Sequence, residues 1–111
     1  MDEVLRDEIN NLHANFCKAL ADPSRLYLLY TLFDKPCTVN ELADRVGMTQ
    51  PTVSRHLRVL RDRKMVVDTR LGQSVLYSLA DERIIEALDL LRSVMATRLI
   101  REMPLASAFE N

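Results

Sequence analysis

The chain has 111 residues, of which 48% are apolar and 5% are aromatic, and its formal net charge is −1. This length fits one domain, and two cysteines are too few for a disulfide framework. The acidic, polar start MDEVLRDEIN and the lack of an apolar run of about 18 residues argue against a signal peptide and a membrane span, so we expect a cytoplasmic protein.

The N-terminal part predicts two helices. The first covers residues 1–20, where apolar side chains recur at helical spacing. They are Leu5, Ile9, Leu12, Phe16 and Leu20. The string ADPSRL starts the second helix, with Asp22 as its cap and Pro23 at its first position. This helix is expected to be largely buried and to end near DKPC, and its apolar residues are Leu26, Leu28, Leu29, Leu32 and Phe33.

Two shorter helices joined by a tight turn are predicted next. Thr38 and Glu41 form a capping box at the start of the first one, and Gly47 ends it. Thr49 is a plausible cap for the second, which covers residues 50–63. When this helix is drawn at about 100° per residue, one side is apolar and is expected to face the core. That side consists of Val53, Leu57 and Leu60.

The C-terminal part predicts a β-hairpin and a long helix. The segments MVVDTRL and SVLYSL are rich in strand-forming residues and flank Gly72 and Gln73, a hairpin signal. The helix that follows, over residues 80–103, has a wider apolar stripe than a surface helix of a monomer needs. The stripe contains Ile84, Leu88, Leu91, Met95 and Leu99, and it is widened by Ile85, Leu90 and Val94.

These elements predict a mainly α protein with a small β-hairpin (α+β). In this order they form a winged helix-turn-helix, with five or so helices, a two-stranded wing and one domain over residues 1–111. Helices 1–20 and 80–103 are expected to form a homodimer, and burial of their apolar stripes within one chain is the alternative. The predicted dimer interface consists of Leu5, Ile9, Leu12, Phe16, Ile84, Leu88, Leu91, Met95 and Leu99.

Positive charge is concentrated in the middle of the chain. Residues 48–79 hold six basic and two acidic side chains, whereas both flanks are acidic. This pattern indicates a local surface for a polyanion, and an ordinary solvated helix face is the alternative. Hydroxyl, amide and guanidinium groups here can reach base edges or phosphates of double-stranded DNA. The predicted DNA contacts are Thr49, Gln50, Thr52, Ser54, Arg55, His56, Arg58, Arg61, Arg70, Gln73 and Ser74.

His56 lies near the core boundary of the helix drawn above. We interpret it as a partly buried packing residue or a phosphate contact, and not as a metal ligand.

The strings FCKALADPSRLYLLYTL and TVNELADRVGMTQPTVSRHLRVLRDRKMVVDTRLGQSVLYSL resemble the ArsR/SmtB family of bacterial winged-helix repressors. The resemblance covers residues 13–95. It implies a homodimer built from the first and last helices and an operator with two-fold symmetry near the protein's own promoter. It also implies that repression is relieved when an inducer binds the dimer.

Three inducer sites that the family uses are not matched in this chain. A thiolate site before the third helix, a zinc site in the last helix and a sulfide-sensing cysteine pair each need side chains that are missing here. Apart from Asp81, which suits the zinc site, the corresponding positions hold Thr38, Asn40, Arg83, Val94, Thr97, Tyr30 and Ala96.

One further group of residues suits a soft ion. His13 and Cys17 are four apart and are expected to share a helix face. With Cys37 they form a candidate site for a thiolate-bound metal or arsenite, and a redox pair of the two cysteines is a second hypothesis. The alternative is that Cys17 is a small buried apolar residue and Cys37 an ordinary loop thiol. The cofactor is otherwise unknown.

The sequence therefore predicts a dimeric DNA-binding repressor. It contains no Gly-rich phosphate loop and no nucleophile–base motif, so an enzyme is not expected. A winged-helix module that binds another protein is the alternative from a different class.

Overall fold

The structure is a computed structural model that describes residues 1–102, so residues 103–111 of the predicted domain and residue 103 of the predicted last helix lie outside it. Helix α1 continues through a π-helical turn into α2, which gives five continuous helices and one hairpin in the described part and confirms the predicted fold class. The elements in chain order are α1 (Glu3–Leu12), the π-helical turn (His13–Cys17), α2 (Lys18–Leu20), α3 (Pro23–Asp34), α4 (Val39–Val46), α5 (Gln50–Asp62), β1 (Val66–Leu71), β2 (Ser74–Leu79) and α6 (Arg83–Glu102).

The predicted caps of α3 and α4 are confirmed. The Asp22 carboxylate accepts the backbone N–H of Ser24 at 2.8 Å. The Thr38 backbone N–H donates to the Glu41 carboxylate at 3.0 Å, and the Glu41 backbone N–H donates to the Thr38 hydroxyl at 3.2 Å. These backbone hydrogen bonds lower the pKa of both carboxyl groups below their ordinary values. The caps therefore stabilise the helices at neutral pH, and they weaken as the pH falls through those lowered pKa values.

Two left-handed residues end the helices of the helix-turn-helix. Gly47 has a φ of +72° and ends α4 with its N–H bonded to the Ala43 carbonyl. Lys64, with a φ of +61°, follows α5. This conformation costs an L-residue about 1–2 kcal/mol, so a glycine favours it and a lysine does not. The sequence therefore signalled the turn at Gly47 and gave no signal for the one at Lys64.

The core lies between α3, α4, α5, the start of β1 and the start of α6. The predicted inner side of α5 is confirmed, because Val53, Leu57 and Leu60 are fully buried. Phe33 differs from the prediction, since it lies at the surface end of α3 and is 48% exposed. The other core side chains are Ala19, Leu28, Leu29, Leu32, Cys37, Leu42, Ala43, Met65, Val66 and Ile85.

The hairpin is an antiparallel pair in which Val66 lies opposite Leu79 at one end and Leu71 opposite Ser74 at the other. The predicted turn at Gly72 and Gln73 is therefore confirmed. The base of the hairpin is joined to the loop before α4 by a bridge between Cys37 and Tyr77, with backbone hydrogen bonds of 3.0 and 2.8 Å. This bridge fixes the wing to the domain that carries α5.

The terminal helices project from this core. The radius of gyration is 17.2 Å, compared with about 13 Å for a compact chain of 100 residues. Apolar side chains remain exposed along both projecting segments, and they are Val4, Leu5, Ile9, Leu12, Leu90, Leu91, Val94, Met95 and Leu99. These segments offer the apolar surface that a second chain needs.

Three residues of the predicted dimer interface also pack within their own chain. Phe16, Ile84 and Leu88 are half-buried against the core of their own chain. Ile85, which was expected to widen the same stripe, is only 1% exposed and belongs to the core. The start of α6 thus packs within the chain, and the outer part of the helix carries the free apolar surface. No helix within residues 1–102 has the length and hydropathy needed to cross a lipid bilayer.

Candidate nucleic-acid interface

A hydrogen-bonded group of side chains lies at the exposed start of α5. Thr49 is the N-cap, as predicted, and its hydroxyl accepts the backbone N–H of Thr52. The Thr49 hydroxyl also donates to the Thr52 hydroxyl at 2.9 Å, and the Arg55 guanidinium donates to the Thr52 hydroxyl at 3.4 Å. Arg55 is therefore held along the outer face of the helix beside the helix N-terminus, where the helix dipole favours a phosphate.

The predicted DNA contacts fall into two groups by exposure. Thr52 and His56 are half-buried. The exposed group consists of Thr49, Gln50, Ser54, Arg55, Arg58, Arg61, Arg70, Gln73 and Ser74. Within the described residues, the guanidinium groups of Arg58 and Arg70 have no acidic partner, so both are available to an anion.

Two other cations near the end of α5 are already engaged within the chain. Arg61 lies 3.5 Å from the Asp68 carboxylate on β1, and Arg63 donates to the Asn15 side chain at 3.1 Å. The side chains of the Arg61–Asp68 pair are 43% and 39% exposed, and surface pairs of this kind contribute at most about 1 kcal/mol. A phosphate can therefore displace Asp68 from Arg61. The sequence signal for this pairing was weak, because the residues lie on different elements.

His56 has the half-buried position that was predicted for it. Its Nδ1 lies 3.4 Å from the guanidinium of Arg25, a donor, so Nδ1 accepts and the ring hydrogen is assigned to Nε2. Arg25 also donates to the carbonyl groups of Ala19 and Lys18, at 2.5 and 3.2 Å. Arg25 therefore joins the end of the first helix to α5. Arg25 was not among the predicted site residues, although it stands in the ADPSRL string.

The wing carries its polar residues at the tip of the hairpin. Arg70 on β1 and Ser74 on β2 flank the turn that contains Gln73, and all three side chains are exposed. Met65 and Val66, at the start of the wing, are buried in the core beside α5. The tip is therefore a polar extension of the same domain that presents the outer face of α5.

The two cysteines differ from the alternative stated for them. Cys17 is exposed and Cys37 is fully buried, which reverses the expected burial. The Cys37 thiol donates to the Lys35 carbonyl at 3.3 Å, and the Arg45 guanidinium donates to its sulfur at 3.6 Å. Cys37 is buried because its backbone pairs with β2, a long-range contact that the sequence does not show.

The residues considered for metal binding are not assembled within one chain. No three His, Cys, Asp or Glu side chains of residues 1–102 form a group that could hold a metal ion, so His13, Cys17 and Cys37 are not gathered into one site. Asp81 is held by Arg83 at 2.6 Å, and this hydrogen bond lowers the pKa of the Asp81 carboxyl to about 2.

Comparison with known proteins identifies relatives of this chain. Residues 22–66 match the family described as bacterial regulatory protein, arsR family. The HTH-type transcriptional regulator NmtR of Mycobacterium tuberculosis is 46% identical over 76 residues, which are 68% of this chain and 63% of that relative. The HTH-type transcriptional regulator CmtR of Mycobacterium bovis is 42% identical over 84 residues, which are 75% of this chain and 71% of that relative.

A solved structure extends the likeness to the whole fold. It is the solution structure of a homodimeric winged helix-turn-helix DNA-binding domain of Mycobacterium bovis, a possible ArsR-family transcriptional regulator. The TM-score is 0.78 at 25% identity, and the match covers 94% of this chain and 95% of that domain. The relatives are regulators and not enzymes. From the helix-turn-helix, the wing and these matches together, it follows that the chain belongs to the ArsR family of bacterial regulatory proteins and is a winged-helix transcriptional regulator.

Proposed function

We propose that this regulator is a repressor that binds a two-fold symmetric DNA operator as a homodimer and leaves it when an inducer binds. The observation that carries the proposal is the construction of α5. Its inner side is fully buried, and its outer side presents the hydrogen-bonded Thr49–Thr52–Arg55 group beside Arg58, which has no acidic partner within residues 1–102. Such a helix is both fixed to its domain and complementary to DNA. The proposal places the protein with its DNA in the bacterial cytoplasm and assigns it no catalytic reaction.

The two kinds of DNA contact are assigned to different side chains. The start of α5 enters the major groove, where Gln50, Thr52, Ser54 and Arg55 read base edges. Arg58 and Arg61 bind phosphates along the helix, while the tip of the wing meets phosphates or the adjacent minor groove through Arg70, Gln73 and Ser74. Base contacts give sequence preference, and phosphate contacts give affinity and register.

The dimer is proposed to form through the exposed apolar residues of α1 and of the outer part of α6. Two α5 helices then reach half-sites one helical turn apart, about 34 Å, on the same side of the DNA. The charged face of the protein is thus repeated once along the duplex. This arrangement explains why a chain with a net charge of −1 binds a polyanion, since its positive charge is gathered on one surface.

DNA affinity is expected to fall linearly with salt on a double-logarithmic scale. Arg58, Arg61 and Arg70 give about six phosphate contacts per dimer, and a slope of about −5 follows from about 0.9 counterions released per contact. Fluorescence anisotropy of a labelled duplex, titrated at salt concentrations from about 50 to about 300 mM, measures the slope. Absent or salt-insensitive binding would instead favour the winged-helix module that binds another protein.

The inducer is proposed to be a thiol-binding ion held by Cys17, because Cys17 is exposed while Cys37 is buried. Native mass spectrometry of the dimer with zinc, cadmium or arsenite is the direct test. The parent and Cys37→Ser are expected to retain the ion, because Cys37 is buried, and Cys17→Ser is expected to lose it. An ion that persists in Cys17→Ser, or no ion in any form, would contradict this assignment and leave the DNA-binding proposal unchanged.

A further inference from the structure

Three side chains join α6 to α3 where α6 leaves the core. The Tyr30 hydroxyl donates to the Asp89 carboxylate at 2.6 Å. The Arg92 guanidinium donates to the same carboxylate oxygen at 3.2 Å and lies 5.2 Å from the centre of the Tyr30 ring. Each of the three side chains therefore contacts the other two. We call this group the Tyr30 cluster.

The position of the cluster along α6 gives it a mechanical role. Ile85 is fully buried, Leu88 is half-buried, and the side chains from Asp89 to Leu99 are exposed. The Tyr30 cluster thus lies at the boundary between the part of α6 that packs on its own core and the part that carries free apolar residues. Contacts at such a boundary determine the direction in which the outer helix extends.

The chemistry of the cluster makes it more than a surface ion pair. The hydrogen bond from a hydroxyl to a carboxylate is charge-assisted and short, and the guanidinium over the aromatic ring adds a cation–π contact. Partial burial, together with the hydrogen bond to Asp89, raises the pKa of Tyr30 above its ordinary value. The hydroxyl therefore remains a donor at neutral pH. Because Tyr30 is half-buried on α3, the ion pair is anchored to the core and does not move freely in solvent.

We propose that the Tyr30 cluster sets the angle of α6 and thereby the separation of the two α5 helices, which makes Tyr30 a positioning residue for operator half-site spacing. This inference rests on the proposed dimeric operator binding. The outer helix from Asp89 to Glu102 is about 20 Å long, so a change of about 10° at the cluster moves its far end by about 3.5 Å. That displacement is close to the rise of one base pair.

The experiment compares spacing preference in three proteins. Duplexes are first selected from a random pool by the unmodified protein, and one base pair is then inserted or deleted at the centre of the selected site. The unmodified protein is expected to lose about tenfold or more in affinity on the altered sites. Tyr30→Phe keeps the ring and removes the hydroxyl. It is expected to bind the selected site several-fold more weakly, and its affinities for the selected and the altered sites are expected to differ by about threefold or less.

Tyr27→Phe is the matched control, because Tyr27 lies one turn earlier on α3, is exposed and is outside the cluster. It is expected to behave like the unmodified protein. Sedimentation and circular dichroism establish whether Tyr30→Phe remains a folded dimer. If it does not, Asp89→Ala takes its place, because it removes the carboxylate that accepts from both Tyr30 and Arg92.

Unchanged spacing discrimination in a folded dimeric Tyr30→Phe, or in Asp89→Ala as its replacement, overturns the inference. So does an equal loss of discrimination in Tyr27→Phe. If the unmodified protein selects no DNA, the repressor proposal itself fails and the inference fails with it. That outcome is seen before any variant is compared, so the two failures are distinguishable.

Discussion

Arg55→Ala weakens operator binding by about 1–3 kcal/mol per half-site and relaxes the preference for the bases that Arg55 contacts. This result is expected because Arg55 is held by Thr52 on the outer face of α5, beside the helix N-terminus. Binding to a selected duplex and to a scrambled duplex of equal length, measured by anisotropy at fixed salt, separates the two effects. The loss should be much larger on the selected duplex.

Arg58→Ala is the matched variant one turn further along α5. Its guanidinium is expected to bind a phosphate, so its loss should weaken selected and scrambled duplexes alike and reduce the salt slope by about one per half-site. Arg83→Ala serves as the control, because Arg83 is an exposed arginine paired with Asp81 at the start of α6. If Arg55→Ala and Arg58→Ala both bind like the unmodified protein, α5 is not the recognition helix.

The double substitution Leu91→Glu and Met95→Glu is expected to convert the dimer to a monomer. Both side chains are exposed in the single chain, at 60% and 63%, and lie one turn apart on the outer part of α6. Carboxylates buried at an interface without partners cost several kcal/mol each, which exceeds what the remaining contacts can offset. Sedimentation at micromolar protein concentration measures the change, and operator binding should be lost with the dimer.

The control for the dimer experiment is Val67→Glu. Val67 is an apolar residue of β1 with 45% exposure, so the substitution places a glutamate on an exposed apolar position away from the terminal helices, although it adds one carboxylate where the double variant adds two. It should leave the molecule dimeric. If the Leu91 and Met95 double variant also remained a dimer, the interface would have to be sought on another face of the chain.

Local chemistry made most of the fold predictable. The caps at Asp22 and Thr38 and the left-handed Gly47 act within a few residues, so each can be recognised in the sequence itself. The periodicity of α5 identified its buried side correctly for the same reason, because one face of a helix is fixed by spacing alone. The outer face that is proposed to contact DNA followed as the complement of that buried side.

Long-range contacts account for what the sequence did not reveal. The alternative interpretation of Cys37 as an ordinary loop thiol is wrong, because its backbone bridges to Tyr77, 40 residues later, and its side chain is buried. Arg25 on α3 lies within hydrogen-bond distance of His56 on α5, and the sequence around either residue does not indicate this contact. Tyr30 on α3 likewise meets Asp89 on α6, 59 residues later in the chain. Such pairings need the tertiary fold before they can be seen.

The π-helical turn at His13–Cys17 changes the geometry of the first helix. It accommodates an additional residue relative to an α-helix, and each residue rotates the chain by about 100°. Leu5 and Leu12, which precede the turn, are exposed, whereas Phe16 within the turn is half-buried against the core, although the sequence places all three on one stripe. The hydrophobic stripe of the first helix therefore divides at this turn. Its earlier residues are free to contact a second chain, and Phe16 packs on the core of its own chain. Deleting one residue of this turn would rotate Leu5 and Leu12 by about 100° relative to the core, so their side chains would be presented to a second chain in a different direction.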